Sequence, residues 1–149
     1  MIGESAIQKA HCGAGFCYDW ACMADASGQA LLACDAVARD PAGKVTLYGV
    51  FDRIWSAKFP AVHPLFSIYW RCLVPGPGRV QVSVLKPDGS TLFELEPVET
   101  GEEKPQSMQG TYTLGAFEFP IEGDYTLVLK YNGRELLQSR LSLFKKDNA

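Results

Sequence analysis

The clearest alternation of apolar and polar positions lies in the last third of the chain. A run that ends at Phe119 meets a Pro- and Gly-containing corner, and a second run follows from 124 to 131. The dipeptide Asn132-Gly133 separates this run from a third that ends at Phe144. Asn-Gly between two such runs favours a tight hairpin, because both central turn residues need positive φ. This region therefore predicts antiparallel strands joined by a corner and a two-residue turn.

The register of that hairpin predicts a β-bulge near residues 136–138. Counted outward from a two-residue turn, an unbroken ladder would pair the apolar Tyr125 with Arg140. Leu141 and Leu143 would then lie on the face of the sheet opposite to Tyr125. Because a one-residue slip exchanges the two faces of a strand, one extra residue brings these leucines onto the face of Tyr125.

Earlier segments also have the composition of strands and are separated by turn signals such as Pro87-Asp88-Gly89. The segment 45–55 is apolar on both faces, which is typical of a strand near the middle of a packed sheet. Gly49 within it indicates a bulge or a close approach of the backbone. The predicted strands before the last third cover 31–37, 45–55, 65–74, 80–84 and 91–95.

The segment 65–74 shows the period of two most clearly. One face carries the apolar side chains and predicts the core, with Trp70 at its centre; its members are Phe66, Ile68, Trp70 and Cys72. The other face carries Ser67, Tyr69 and Arg71. Cys72, like Cys34 on the first strand, is expected to behave as a small buried hydrophobic residue.

Short strands with frequent turn signals and no long helical pattern favour one fold class. We expect an all-β, antiparallel immunoglobulin-like β-sandwich of about seven or eight strands. A closed barrel is the alternative, because it needs the same alternation. The polar segment 96–110 is rich in Glu, Gly and Pro and is expected to be a mobile hairpin tip.

The sequence divides into an irregular N-terminal extension, residues 1–29, and the sandwich domain, residues 30–145. The extension is Cys-rich and brings together possible zinc ligands, namely His11, Cys12, Cys17 and Cys22. Their spacing differs from the usual zinc ligand pairs, which are two to four residues apart. A flexible extension with inert thiols, or a natural start at Met23, are the other interpretations.

Composition and charge exclude several classes of function. The 149 residues carry a net charge of -3 with pI ≈ 5.4, which argues against a nucleic-acid-binding protein with a clustered basic surface. No apolar run approaches the ~20 residues that span a bilayer. Five cysteines without a recognisable secretory signal favour reduced thiols and a cytoplasmic protein.

The sequence carries no recognisable catalytic motif. The chain has two histidines, and it has no nucleophile elbow, Gly-rich phosphate loop or zinc-protease helix. Asp52 and Arg53 could form a polar site with His63, Tyr69 and Arg71, or could be a strand-end ion pair beside a surface loop. A hydrolase that uses Asp52 and His63, or a metalloprotein that uses the extension, is the alternative function.

The favoured function is a non-enzymatic binding or assembly module without a cofactor. Sandwiches offer end loops and strand edges to a protein partner. Trp55 and Phe59 flank a Pro-rich loop and are candidate anchors, with Asp52, Arg53 and His63 beside them. The same aromatics could instead plug the end of the core. We expect a monomer or weak homo-oligomer that binds neither nucleic acid nor membrane.

Three runs also carry a family resemblance. They are Gly43 to Trp55, containing Gly-Val-Phe-Asp-Arg-Ile, then Phe59-Pro60-Ala61-Val62-His63-Pro64, and Phe119 to Tyr125. With these runs, residues 31–144 resemble a bacterial family of small cytosolic proteins known only as a domain of unknown function. The resemblance implies a compact β-sandwich and implies no activity, cofactor or catalytic residue.

Overall fold

A computed structural model describes residues 25–147 of the chain, and within this range it contains strands and no helix. No helix among these residues is long and apolar enough to cross a bilayer. The candidate zinc ligands His11, Cys12, Cys17 and Cys22 lie outside the described range. The strands are β1 Ser27–Arg39, β2 Val45–Phe51, β3 Arg53–Ser56, β4 Ala61–Val74, β5 Gly78–Leu85, β6 Thr91–Glu94, β7 Val98–Thr100, β8 Gln106–Phe119, β9 Gly123–Tyr131 and β10 Arg134–Lys145.

The strands form two sheets that pack face to face. One sheet has the order β2-β1-β4-β8, and the other has the order β3-β10-β9-β5-β6, with β7 also pairing β5. All of these pairs are antiparallel except β3 with β10, which is parallel. The pair β4–β8 and the trio β5–β9–β10 occupy the positions of the central immunoglobulin strands. The expected immunoglobulin-like β-sandwich is confirmed.

A tyrosine corner supports the same assignment. Tyr125, at the start of β9, is fully buried, and its hydroxyl donates to the Ile121 carbonyl at 2.7 Å. The same oxygen accepts the Ile121 backbone N–H at 3.1 Å. Burial raises the pKa of this phenol. In immunoglobulin-like sandwiches a tyrosine at this corner fixes the connection between the two sheets in the same way.

The core lies between the sheets and follows the predicted faces. The apolar face of β4 is buried, with Trp70 only 1% exposed and Phe66, Ile68 and Cys72 inaccessible to solvent. Val80, Val82 and Val84 of β5 oppose it from the other sheet and are equally buried. Gly110 pairs with Trp70, and a Cβ there would lie 2.6 Å from the indole ring. The indole therefore packs directly on the backbone of β8.

The predicted bulge in the β9–β10 hairpin is present. Asn132 and Gly133 have φ of 50° and 80°, as their turn requires. The pairing shifts by one residue between Glu135 and Leu137, after which Leu141 pairs with Tyr125. Leu141 and Leu143 are consequently 1% exposed. The apolar periodicity thus determined the register of this hairpin.

The prediction of one central strand over 45–55 is wrong. The chain crosses from one sheet to the other at Asp52, so β2 and β3 are edge strands of different sheets. Apolar residues occur on both faces because each half of the segment serves a different sheet. Tyr48, Val50 and Trp55 remain 55%, 54% and 62% exposed.

The expected loop over 96–110 is largely replaced by strands. Val98–Thr100 forms β7 against β5, and β8 already begins at Gln106. The buried Thr100 hydroxyl donates to the Gly76 carbonyl at 3.0 Å. Pairing to β5 supplies backbone hydrogen bonds that the local composition does not reveal, because propensity is readily overridden by sheet context. This segment and the split at Asp52 bring the described part to ten strands.

The β1–β2 hairpin leaves the plane of its sheet near Asp35. β1 pairs with β4 only from Ser27 to Cys34, whereas its pairing with β2 extends to Arg39. The ladder between β1 and β2 skips the Asp35–Gly49 position without changing register. Gly49 has φ of 61°, and a Cβ there would overlap the carboxylate of Asp35. The sequence predicts either a bulge or a close approach of the backbone at Gly49, and the structure shows the close approach.

Beyond this bend the hairpin folds back over the outer face of β4 and β8. At ~3.3 Å per residue, a straight hairpin would place Val45 roughly 30 Å from Arg71. Instead Val45 and its neighbours at the hairpin tip line one hollow with Tyr69 and Arg71. Such a cover accounts for the burial of Cys34 and Ser67 on a face that would otherwise meet solvent.

Candidate functional site

Asp52 and Arg53 occupy the crossing between the sheets and interact with each other. Nε of Arg53 lies 3.6 Å from Oδ1 of Asp52, and both side chains are largely exposed. A pair of this kind contributes about 0–1 kcal/mol to stability. The predicted strand-end ion pair is therefore what these two residues form.

His63 belongs to an aromatic cluster at one end of the core. Its ring centroid lies 5.4 Å from Phe51 and 5.9 Å from Phe66. Phe59, another candidate anchor, is half-buried and packs against the core. Arg71 lies on the same strand as His63, ~26 Å further along at the usual rise per residue. The structure does not bring the five residues of the hypothetical polar site together.

Trp55 and Phe144 form the most exposed aromatic pair in the described part of the chain. Their ring centroids are 4.7 Å apart at an interplanar angle of 27°, so the rings stack. They are 62% and 39% exposed and are partners in the parallel β3–β10 register. Neighbouring Ile54 and Leu143 pack into the core, which leaves the stacked rings on the outer face. We call Trp55, Phe144 and strand β3 the aromatic edge.

β3 is the terminal strand of its sheet. Two backbone contacts frame its attachment to β10: Ser142 N–H donates to Asp52 O at 2.9 Å, and Lys146 N–H donates to Ser56 O at 2.7 Å. The other side of β3 faces no strand in the described residues. An open edge beside exposed aromatics can accept an added strand and an apolar side chain from a partner.

Sequence reasoning identified Trp55 and missed Phe144. The parallel contact of β3 with β10 joins segments that are far apart in sequence, so no local turn sequence predicts it. The available sequence signal was Phe144 itself, an apolar residue that directly follows Leu143 and therefore lies on the other face of the strand. Among the described residues no group of three or more His, Cys, Asp or Glu side chains is placed to hold a metal ion.

The chain matches the model of a known protein family. The model of DUF6941, a family of unknown function, matches residues 29–144. The chain belongs to DUF6941. The predicted resemblance to a domain of unknown function is thereby confirmed. A comparison with curated proteins gave no match.

Solved structures with a similar chain path include two from Pseudomonas. An immunoglobulin-like protein from Pseudomonas aeruginosa is 12% identical, with a TM-score of 0.41, over 81% of this chain and 98% of that one. The alkylpurine DNA glycosylase AlkC from Pseudomonas fluorescens, bound to DNA containing an abasic site analogue, is 13% identical with a TM-score of 0.42. That match covers 83% of this DUF6941 chain and 31% of the glycosylase. Neither similarity informs the function of this chain.

Proposed function

We propose that this DUF6941 protein is a non-enzymatic binding or assembly module that engages a protein partner at the aromatic edge. The observation that carries the proposal is the stacked Trp55–Phe144 pair, exposed beside an open strand. Tryptophan and other aromatics dominate the binding energy of protein interfaces, and they act best when a partner excludes water from them.

The exposed part of Trp55 alone can supply substantial binding free energy. Its 62% exposure corresponds to roughly 150 Å² of mostly apolar surface. Burying such an area is worth about 4 kcal/mol before the costs of association. The stack with Phe144 holds the indole in one orientation, so less side-chain entropy is lost on binding.

The flanking residues suit the polar rim of such an interface. Asp52 and Arg53 are exposed and lie three and two residues before Trp55 in the chain. Rim charges mainly orient a partner and contribute little affinity. In this proposal Asp52, Arg53 and Trp55 function together, whereas Phe59 packs against the core and His63 lies in the aromatic cluster beside it.

We also propose a reducing, cytoplasmic location and a monomer or weak homo-oligomer. Cys34 and Cys72 are buried free thiols in the described part, which supports the first proposal. The short β3 edge, only four residues long, supports the second, because short edges discourage self-pairing.

The test compares Trp55→Ala with Phe93→Ala. Phe93 is a matched control, since it is an exposed aromatic, 40% accessible, on the opposite edge strand β6. Immobilised wild-type and variant chains are exposed to extract from the source cells, and bound proteins are quantified by mass spectrometry. We expect a specific partner to be depleted at least tenfold by Trp55→Ala and retained by Phe93→Ala. Equal retention by both variants would rule out the aromatic edge.

A further inference from the structure

The space between the tip of the β1–β2 hairpin and the outer face of β4 and β8 is a second candidate site, here called the hairpin cleft. Its volume is about 610 Å³. The hairpin contributes Gly43, Lys44 and Val45, and the sheet contributes Tyr69, Arg71 and Gln109. Small-molecule sites usually enclose about 300–1,000 Å³, so the cleft has the size for an organic ligand.

The charge in the cleft has one sign. Lys44 reaches it from the hairpin and Arg71 from the sheet, and none of the described residues that line it carries a carboxylate. Neither cation forms an ion pair with any residue in the range 25–147. The neighbouring hollow under β2 differs, because it contains both Asp52 and Arg140. Two cations without a counter-charge favour the entry of an anion.

A fixed polar pair forms part of the floor of the cleft. The Tyr69 hydroxyl donates to Oε1 of Gln109 at 2.8 Å, and Tyr69 is only 8% exposed. This bond orients the Gln109 side chain, so its amide nitrogen keeps both N–H groups for another acceptor. The guanidinium of Arg71, whose residue pairs with Gln109 across the strands, adds a planar set of donors.

The roof of the cleft is held by its own turn. Gly43 N–H donates to the Asp40 carbonyl at 2.9 Å, and Lys44 N–H donates to Oδ1 of Asp40 at 2.8 Å. The Asp40 N–H donates to the Lys44 carbonyl at 3.0 Å. These bonds occupy the backbone of Lys44 and leave its ammonium group available to the cleft.

We propose that the hairpin cleft binds the oxyanion group of a small organic molecule, either a carboxylate or a phosphate. Arg71 and Gln109 bind the anion from the sheet, and Lys44 closes on it from the hairpin. Guanidinium groups match the oxygen spacing of both anions and bind them with charge-assisted hydrogen bonds. The site lies on the other sheet from the aromatic edge, so it stands independently of the partner-binding proposal.

The probes are inorganic phosphate and acetate, titrated separately into the ¹⁵N-labelled full chain at constant ionic strength. We expect saturable amide shifts at Gly43, Lys44 and Gln109 with at least one probe. Saturation by phosphate alone assigns a phosphate ligand, and saturation by acetate alone assigns a carboxylate. Sodium chloride at the same ionic strength should leave these amides unchanged. Shifts that do not saturate with either probe would overturn the proposal.

Two charge-removing variants and a control locate the binding. Arg71→Gln and Lys44→Gln should each weaken binding at least tenfold while keeping a dispersed, folded spectrum. Lys58→Gln removes the same charge from a loop that precedes β4, ~40 Å along the chain from Arg71. It should bind the probe as the wild type does. Equal weakening in Lys58→Gln would show that only net charge attracts the anion, and unchanged binding in both cleft variants would show that the anion binds elsewhere. Either result would overturn the proposal.

Discussion

The β9–β10 and β1–β2 hairpins are built alike and differ in how much the sequence reveals of them. In β9–β10 the Asn132-Gly133 turn and the apolar pattern predict the register, the bulge and the buried face. In β1–β2 the turn and the pairing follow the usual rules, yet the hairpin bends at Gly49 and folds over its own sheet. Register depends on neighbours in sequence, whereas the placement of a hairpin depends on distant surfaces that it covers.

The largest effect separates a buried aromatic residue in the core from an exposed aromatic residue on an edge strand. Trp70→Ala should lower the free energy of unfolding by about 3–5 kcal/mol, because it empties a fully buried site. Tyr48→Ala, on the outward side of β2, should change it by less than about 0.5 kcal/mol. Urea unfolding monitored by circular dichroism measures both. A cost below about 1 kcal/mol for Trp70→Ala would contradict the assigned core.

Much of the central fold could be predicted in this way. The alternation along β4 placed Trp70 and its neighbours correctly because that strand is covered on one face by the opposing sheet. The same reasoning fails over 45–55, because the pattern predicts one central strand and the structure has two edge strands that belong to different sheets. Alternation records which side chains are covered and does not record which sheet covers them.

The candidate sites show the same division. Trp55 was recognisable as an aromatic beside a loop, but its stacking partner Phe144 depends on a parallel contact between distant segments. The sequence places Tyr69 and Arg71 on one strand face and suggests a polar site with His63, whereas the structure brings them to Lys44 and Gln109. Only the fold-back of the hairpin brings Lys44 to Arg71.

The buried thiols provide a second, pH-dependent comparison. Burial raises the pKa of Cys72 from 9.0 to about 11. Below pH ~9 the thiol is neutral in both the folded and the unfolded chain, so its ionisation does not lower the free energy of unfolding. Between these pKa values the unfolded chain loses a proton that the folded chain keeps. Stability should therefore fall by about 2–3 kcal/mol as the pH rises through this window.

Cys72→Ala is the control for this pH effect. The pKa of the phenols of Tyr112 and Tyr125 is also raised by burial, and both variants share their contribution. The difference in slope between wild type and Cys72→Ala from pH 8 to 10.5 thus reports on Cys72. Parallel slopes would mean that this thiol ionises as easily in the folded chain as in the unfolded one.

The third comparison concerns two of the glycines with positive φ, Gly133 in the β9–β10 turn and Gly49 within β2. Gly133→Ala should cost about 1 kcal/mol from backbone strain alone, because no atom lies near its added Cβ. Gly49→Ala should cost about 2 kcal/mol, since its Cβ also displaces Asp35. Chemical unfolding gives both values.

Thiol labelling shows whether the cover itself opens in these variants. Cys34 is buried on the face under the folded-back hairpin, and Cys72 is buried in the core. Gly49→Ala should accelerate labelling of Cys34 and leave Cys72 protected, whereas Gly133→Ala should accelerate neither selectively. Equal acceleration of both thiols in Gly49→Ala would indicate global unfolding and would argue against a separate cover.

The most direct test of the fold-back is a distance between spin labels on Lys44→Cys and Ser107→Cys. Ser replaces the cysteines of the N-terminal extension, namely Cys12, Cys17 and Cys22, while the buried thiols are kept. Both labelled positions line the same hollow, so double electron–electron resonance should give a distribution centred below about 20 Å. A hairpin that continues straight along its sheet would instead give a distance above about 30 Å, and that result would contradict the account.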